Sequence, residues 1–142
     1  MATDIDIAIF RSIKELLSFL DQQISSNEKK LKELQAMLET ARGRKAKYEK
    51  LRKLIEEVSG ESKPALSTTI NVSGLRIVID PKPIEEFDVL ELAYRSLQDK
   101  LEVLRKIREI ISKYLEKYLG EEPVTIIAEL RANVPTKLLV KL

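Results

Sequence analysis

Protein chemistry needs nucleophiles, general acids and bases, or metal ligands, and this sequence supplies few of them. Its 142 residues include no cysteine and no histidine. That excludes disulfides, thiol nucleophiles, thiolate or imidazole metal sites, and Ser-His-Asp or Cys-His catalysis. The carboxylates are what is left. Glu85, Glu86, Asp88 and Glu91 form one cluster, and Glu121 and Glu122 another. Paired carboxylates can exchange protons or hold Mg²⁺. Here neither a glycine-rich phosphate loop nor a histidine accompanies them, and acids at a helix start are ordinary partners of the helix dipole. The sequence therefore reads as non-enzymatic, with no catalytic residue, cofactor or metal site assigned.

One basic run has a possible chemistry of its own. Arg42, Arg44, Lys45, Lys47, Lys50, Arg52 and Lys53 lie close together, with Glu49 the one acid among them. Such a run can contact nucleic-acid phosphates. At about 100° per residue, however, these seven side chains point nearly all round a helix, and Tyr48 is the one aromatic available for base stacking. The competing reading is a solvated helix surface that pairs with Glu85, Glu86, Asp88 and Glu91 on a neighbouring helix. Gly43, within the run, weakens a helix by roughly 1 kcal/mol relative to Ala.

The elements that carry these groups are long. Glycine (4) and proline (5) are scarce, hydrophobic residues make up 44% and charged residues 34%. Residues 4–59 repeat apolar positions with heptad spacing: Phe10, Ile13, Leu17, Leu20, Ile24, Leu31, Leu34, Leu38 and Ala41. Tyr48, Leu51, Ile55 and Val58 resume the repeat after a step in phase. Asn27 falls on a core position, and Ser25 with Glu28 also reads as a capping box. Two readings follow: one long helix with a polar core residue, or two helices broken near Asn27. Ile5, Ile7, Ile9 and Phe10 also alternate like a short strand that could meet a partner or client strand edge.

After a linker, Glu61-Ser62-Lys63-Pro64, residues 67–80 predict a β-hairpin with a two-residue Ser73-Gly74 turn. That turn pairs Val72 with Leu75, Ile70 with Ile77 and Thr68 with Ile79, all on one face. A second helix spans 84–119, with Gly120 as its expected stop. Its stripe is Leu90, Tyr94, Leu97, Leu101, Leu104 and Ile111, widened by Ile107, Ile110, Tyr114, Leu115 and Tyr118. Residues 124–142 predict a second β unit, with strands at 124–131 and 137–142 around a turn at 132–136; a helix over 124–131 is the competitor. The fold class is thus α+β, in one domain: a long antiparallel coiled coil or helical bundle, a β-hairpin between its helices, and a C-terminal β unit.

Lengths sharpen this expectation. At ~1.5 Å per residue the second helix is about 54 Å long, and residues 27–58 match it as an antiparallel mate. Residues 4–24 are then surplus, and the wide face at 107–118 falls beside residues 24–35. A helix of that length keeps the two β units apart, and isolated two-stranded hairpins are marginal in water. The sequence therefore points to a homo- or hetero-oligomer that shares strands between chains. The interface residues expected are Leu17, Leu20, Ile24, Ile70, Val72, Leu75, Ile77, Ile107, Ile111 and Val140.

The pattern of Leu31 to Val58, hairpin Thr68 to Ile79 and Leu90 to Tyr118 resembles the prefoldin family over about two-thirds of the chain. The likeness is one of architecture and no residue motif carries it. It implies strands assembled into a shared β body with projecting coiled coils, and a chaperone-like role toward protein partners. A second β unit after helix two departs from that pattern. The net charge of +2 gives no strong pull toward nucleic acid or anionic membrane. No apolar run approaches about 18 residues, and Asp4 and Asp6 stand where a signal peptide would be basic. A cytoplasmic protein without membrane contact is expected. Few Asn and Gln beside many Lys, Glu and Ile suit a thermophile.

Overall fold

Ser12 sets the start of the first helix. Its Oγ accepts the Glu15 backbone N–H at 3.1 Å, and the Glu15 carboxylate reaches back to accept the Arg11 N–H at 2.7 Å. This reciprocal capping satisfies donors that a helix leaves unpaired. Residues 5–10 are therefore strand and not helix, which corrects the expected helical start at residue 4. In the computed structural model the described residues are 5–60 and 68–142; the linker Glu61-Ser62-Lys63-Pro64 lies outside them. The elements are β1 (Ile5–Phe10), α1 (Ile13–Ser59), β2 (Thr68–Val72), β3 (Leu75–Ile79), α2 (Pro83–Ile110), a π-helical turn (Ile111–Glu116), α3 (Lys117–Leu119), β4 (Thr125–Arg131) and β5 (Val134–Lys141). The class is α+β.

α1 runs unbroken through Ser25 to Asn27, which settles the choice between one helix and two. Asn27 is buried at 5% exposure on its inner side. The capping box read at Ser25 is thus unused, because Ser12 provides the cap about three and a half turns earlier and α1 already begins at Ile13. The second helical stretch stops at Leu119 with Gly120 next, as expected, but the left-handed glycine stop is found at Gly60, which ends α1 with φ +69°. Gly120 keeps a right-handed φ of −62°, and its lack of a side chain has another cause: a Cβ there would collide with the Glu116 carbonyl oxygen.

The chain divides into two compact units, Met1–Leu31 with Ser96–Leu142, and Lys32–Arg95. In the first, β4 lies between β1 and β5 in an antiparallel sheet of order β1-β4-β5. Ile9 pairs with Ile127 and Ile127 with Leu139 across it. Alternation sends Ile126, Ala128 and Leu130 inward, onto Ile13, Leu16, Leu17 and Leu20 of α1 and Leu104 and Ile111 of the second helical stretch. The tail strands thus find their third strand, β1, within the chain, which corrects the expectation that they need another subunit. β5 also starts earlier than expected: the turn is only Ala132-Asn133, both with positive φ, and a bulge after Glu129 absorbs the mismatch beside Pro135.

The ion pairs Asp21–Arg108 (2.5 Å) and Glu28–Arg105 (3.4 Å) advance along α1 as they recede along α2, so these segments run antiparallel. Their register differs from the expected one. Ile111, Leu115 and Leu119 pack in the cluster of Ile13 to Leu20, and of the expected segment 24–35 Ile24 alone joins that cluster, together with Ile107. The π turn serves this packing, because its wider i→i+5 spacing brings residues four apart closer to one line.

In the second unit, β2 and β3 form a two-stranded antiparallel sheet in the predicted register, Val72 with Leu75, Ile70 with Ile77 and Thr68 with Ile79. Ser73 (φ 50°) and Gly74 (φ 82°) make the turn, a type I′ geometry that suits strand twist. The core of this unit is small: Leu38, Ala41 and Phe87, flanked by Leu90 and Tyr94. Arg44 pairs with Glu86 close to the start of α2, so α1 beyond Tyr48 extends past that start.

Candidate protein-interaction surfaces

Five aliphatic side chains cover one face of the hairpin, and all are exposed: Ile70 (42%), Val72 (53%), Leu75 (63%), Ile77 (40%) and Ile79 (47%). The register explains why. A two-residue turn puts every cross-strand pair of 70, 72, 75 and 77 on the same side, and the other side carries Thr69, Asn71, Arg76 and Val78. In the same unit Leu51, Leu54, Ile55 and Val58 of α1 are also exposed. Exposed aliphatic residues gathered on one face, as opposed to scattered singly, mark an interaction surface.

The first unit has a second such surface on the outside of its sheet. Ile5, Ile7, Ile9 and Leu139 are exposed there, with Ile127 between them. A shallow concavity of about 200 Å³ is lined by Ile5, Ile7, Ile127, Glu129, Lys137 and Leu139. The strand alternation of Ile5, Ile7 and Ile9 was legible in the sequence. Ile127 and Leu139 were missed as members of this face, and the signal for them was the same alternation in the tail strands.

The expected interface residues divide between these surfaces and the interior. Ile70, Val72, Leu75 and Ile77 are exposed on the hairpin face. Leu17, Leu20 and Ile111 are buried at 6%, 0% and 2% within the first unit, and Ile24, Ile107 and Val140 pack against that core. Those six belong to the packing of this chain with itself.

The basic run is largely engaged at home. Arg44 pairs with Glu86 at 3.3 Å and Arg52 with Glu56, one helical turn on, at 3.3 Å. Arg42 and Lys45 lie over the Phe87 ring, Lys45 Nζ at 4.5 Å from its centre. Lys47, Lys50 and Lys53 are exposed. Among the carboxylates, Glu85 accepts the Lys82 N–H at 2.9 Å as a helix cap and Glu91 pairs with Arg95. Among the described residues no group of three or more acidic side chains could hold a metal ion, and no helix is long and apolar enough to cross a membrane.

Two cations in the first unit are perturbed. Hydrogen bonding to Asp21, then its charge, raises Arg108 further above its usual range. Burial, then the charge of Lys30, lowers Lys100 below the usual lysine value. Arg108 is thus perturbed by its ion pair with Asp21, and Lys100 by partial burial beside a second lysine.

No protein-family model, curated protein or solved structure matches this chain.

Proposed function

We propose that this chain is a non-enzymatic interaction protein that self-assembles through its hairpin and serves as a scaffold or assembly subunit for protein partners. The observation that carries this reading is the hairpin face. A two-stranded sheet is marginal alone in water, and here the aliphatic face that should stabilise it is open at every large aliphatic position. A second copy of the face supplies the missing cover without stranding any charge, since residues 70, 72, 75, 77 and 79 carry none. The helices complete the picture as an antiparallel coiled-coil-like support, which is also the ground of the likeness to prefoldins.

Light scattering of the purified chain tests the reading. A discrete oligomer is expected, and Ile70→Lys with Ile77→Lys should reduce it to monomer while far-ultraviolet circular dichroism keeps its helical amplitude. A chain that is monomeric at every concentration, with its hairpin amides still protected from exchange, overturns the proposal.

A second reading rests on Lys47, Lys50 and Lys53, the exposed remainder of the basic run. Three phosphate contacts give a log–log salt slope of about −3. Absence of RNA or DNA binding at low salt removes it.

A further inference from the structure

Three strands are too few for the helices beneath them. Strands lie about 4.8 Å apart and a helix is about 10 Å across, so the β1-β4-β5 sheet cannot cover two helical segments side by side. The uncovered part lies on one side. Between Ile13 and Leu31 of α1 no large hydrophobic side chain is exposed, whereas Val103 (45%), Ile110 (55%), Tyr114 (52%) and Tyr118 (71%) are.

That side is the edge of β5. Ile107, Ile110, Ile111, Tyr114 and Leu115 face residues 135–138 across a groove of about 400 Å³. Among the described residues β5 has one neighbour, β4, and the backbone N–H and C=O groups along its outer edge have no strand partner there. The two irregularities of this unit, the π turn and the bulge beside Pro135, both line this groove.

Charge selects the occupant. Lys137 and Lys141 stand on the outer face of β5. Glu129 of β4 lies across from Lys137 in the register, and among the described residues neither lysine makes an ion pair. A second copy of β5, paired antiparallel about Leu139, would set Lys137 directly against Lys141, and like charges so placed are destabilising. β1 of another copy offers isoleucines on its outer face and no carboxylate to meet these lysines. We propose that β5 accepts a fourth strand from an acidic partner protein. The strand alternates: apolar side chains lie inward over Ile110 and Tyr114, and carboxylates lie outward opposite Lys137 and Lys141. Main-chain pairing supplies the attachment and the lysines the selectivity. This surface is in a different unit from the hairpin, so a monomeric chain leaves it standing.

The test uses the full chain and two capped eight-residue peptides, one alternating Val with Glu and one alternating Val with Lys. The Glu peptide should bind and shift the amide resonances of residues 136–141 and of Tyr114. Lys137→Glu with Lys141→Glu should weaken it about tenfold, as two cross-strand pairs turn from attractive to repulsive, and should admit the Lys peptide. The proposal is overturned if the Glu peptide does not bind, if it binds both proteins alike, or if its shifts fall on β1 instead of β5. Concentration-dependent protection of the β5 amides in the free chain also overturns it, since a second copy then holds the edge.

Discussion

In the first unit the inner side of β4 is closed off at Ile126, Ala128 and Leu130, while in the second the aliphatic side of the hairpin is at least 40% exposed at each large residue. Both sheets alternate correctly, both turn through two residues with positive φ, and both connect to the same two helices. The difference lies in what faces the strands. β4 has a neighbour on each side and helical side chains below; among the described residues β2 and β3 pair only with each other. Local sequence quality is therefore not what decides whether a sheet is self-sufficient. Cover decides it, and cover is a tertiary property.

The largest effect should come from breaking the well-covered side. Leu16 is fully buried in the cluster formed with Ile126 and Ile111. Leu16→Ala should cost about 2–5 kcal/mol by lost transfer energy and a residual cavity. Leu54→Ala, at a 56% exposed position of the other unit, should stay within about 0.5 kcal/mol in the isolated chain. Urea denaturation of both variants checks the pair. A Leu54→Ala loss as large as that of Leu16→Ala would mean that the exposed segment is covered in solution.

Asn27 sharpens the comparison from inside the first unit. Its side chain is buried, and among the described residues its Nδ2 has no hydrogen-bond partner. A buried donor left without a partner costs roughly 1–3 kcal/mol. Asn27→Leu should therefore raise stability by about 1–2 kcal/mol, read as a higher denaturation midpoint with unchanged slope. A loss of stability would show that the amide finds a partner in solution. The heptad pattern placed Asn27 on a core position from sequence alone, but no local signal could say whether its amide is satisfied.

The same division runs through what the sequence showed. The hairpin register was legible because a Ser-Gly turn and strict alternation determine it within a dozen residues. The α1–α2 register was not, because matching two helices by length ignores the strands that pull Ile13 to Leu20 over the far end of the second helical stretch. β1 was seen as an alternating segment, but its partner lies more than 110 residues away and no local pattern names it. The hairpin half of the candidate surface was legible for the same reason as its register. Leu17, Leu20 and Ile111 looked like interface only while the third strand of the first sheet was unassigned.

The two turns give a smaller contrast. Both turns hold a non-glycine residue at positive φ in their first position, Ser73 at 50° and Ala132 at 51°, which costs an L-residue about 1 kcal/mol; they differ at the second, Gly74 at 82° against Asn133 at 65°. Gly74→Ala should lose about that amount and Ala132→Gly should recover part of it. Thermal melts of the two variants should move in opposite directions. Movement in the same direction would mean that packing around residue 132, and not its backbone, sets the turn.

Lys100 gives the smallest effect and the one with a pH signature. Burial and the nearby Lys30 lower its pKa in the folded chain, so the unfolded chain holds this proton more tightly. Stability then rises with pH across the window from the lowered folded value up to the usual lysine value, and at neutral pH the charged side chain is a small penalty. Lys100→Met should be slightly more stable than the parent at pH 7, and its advantage should shrink as the pH climbs through that window. Lys30→Gln should give part of the same gain, because it removes the second cause and leaves the first. Denaturation midpoints measured from neutral to alkaline pH decide it: an advantage that does not change with pH assigns the gain to the added apolar contact of methionine and not to the lysine charge.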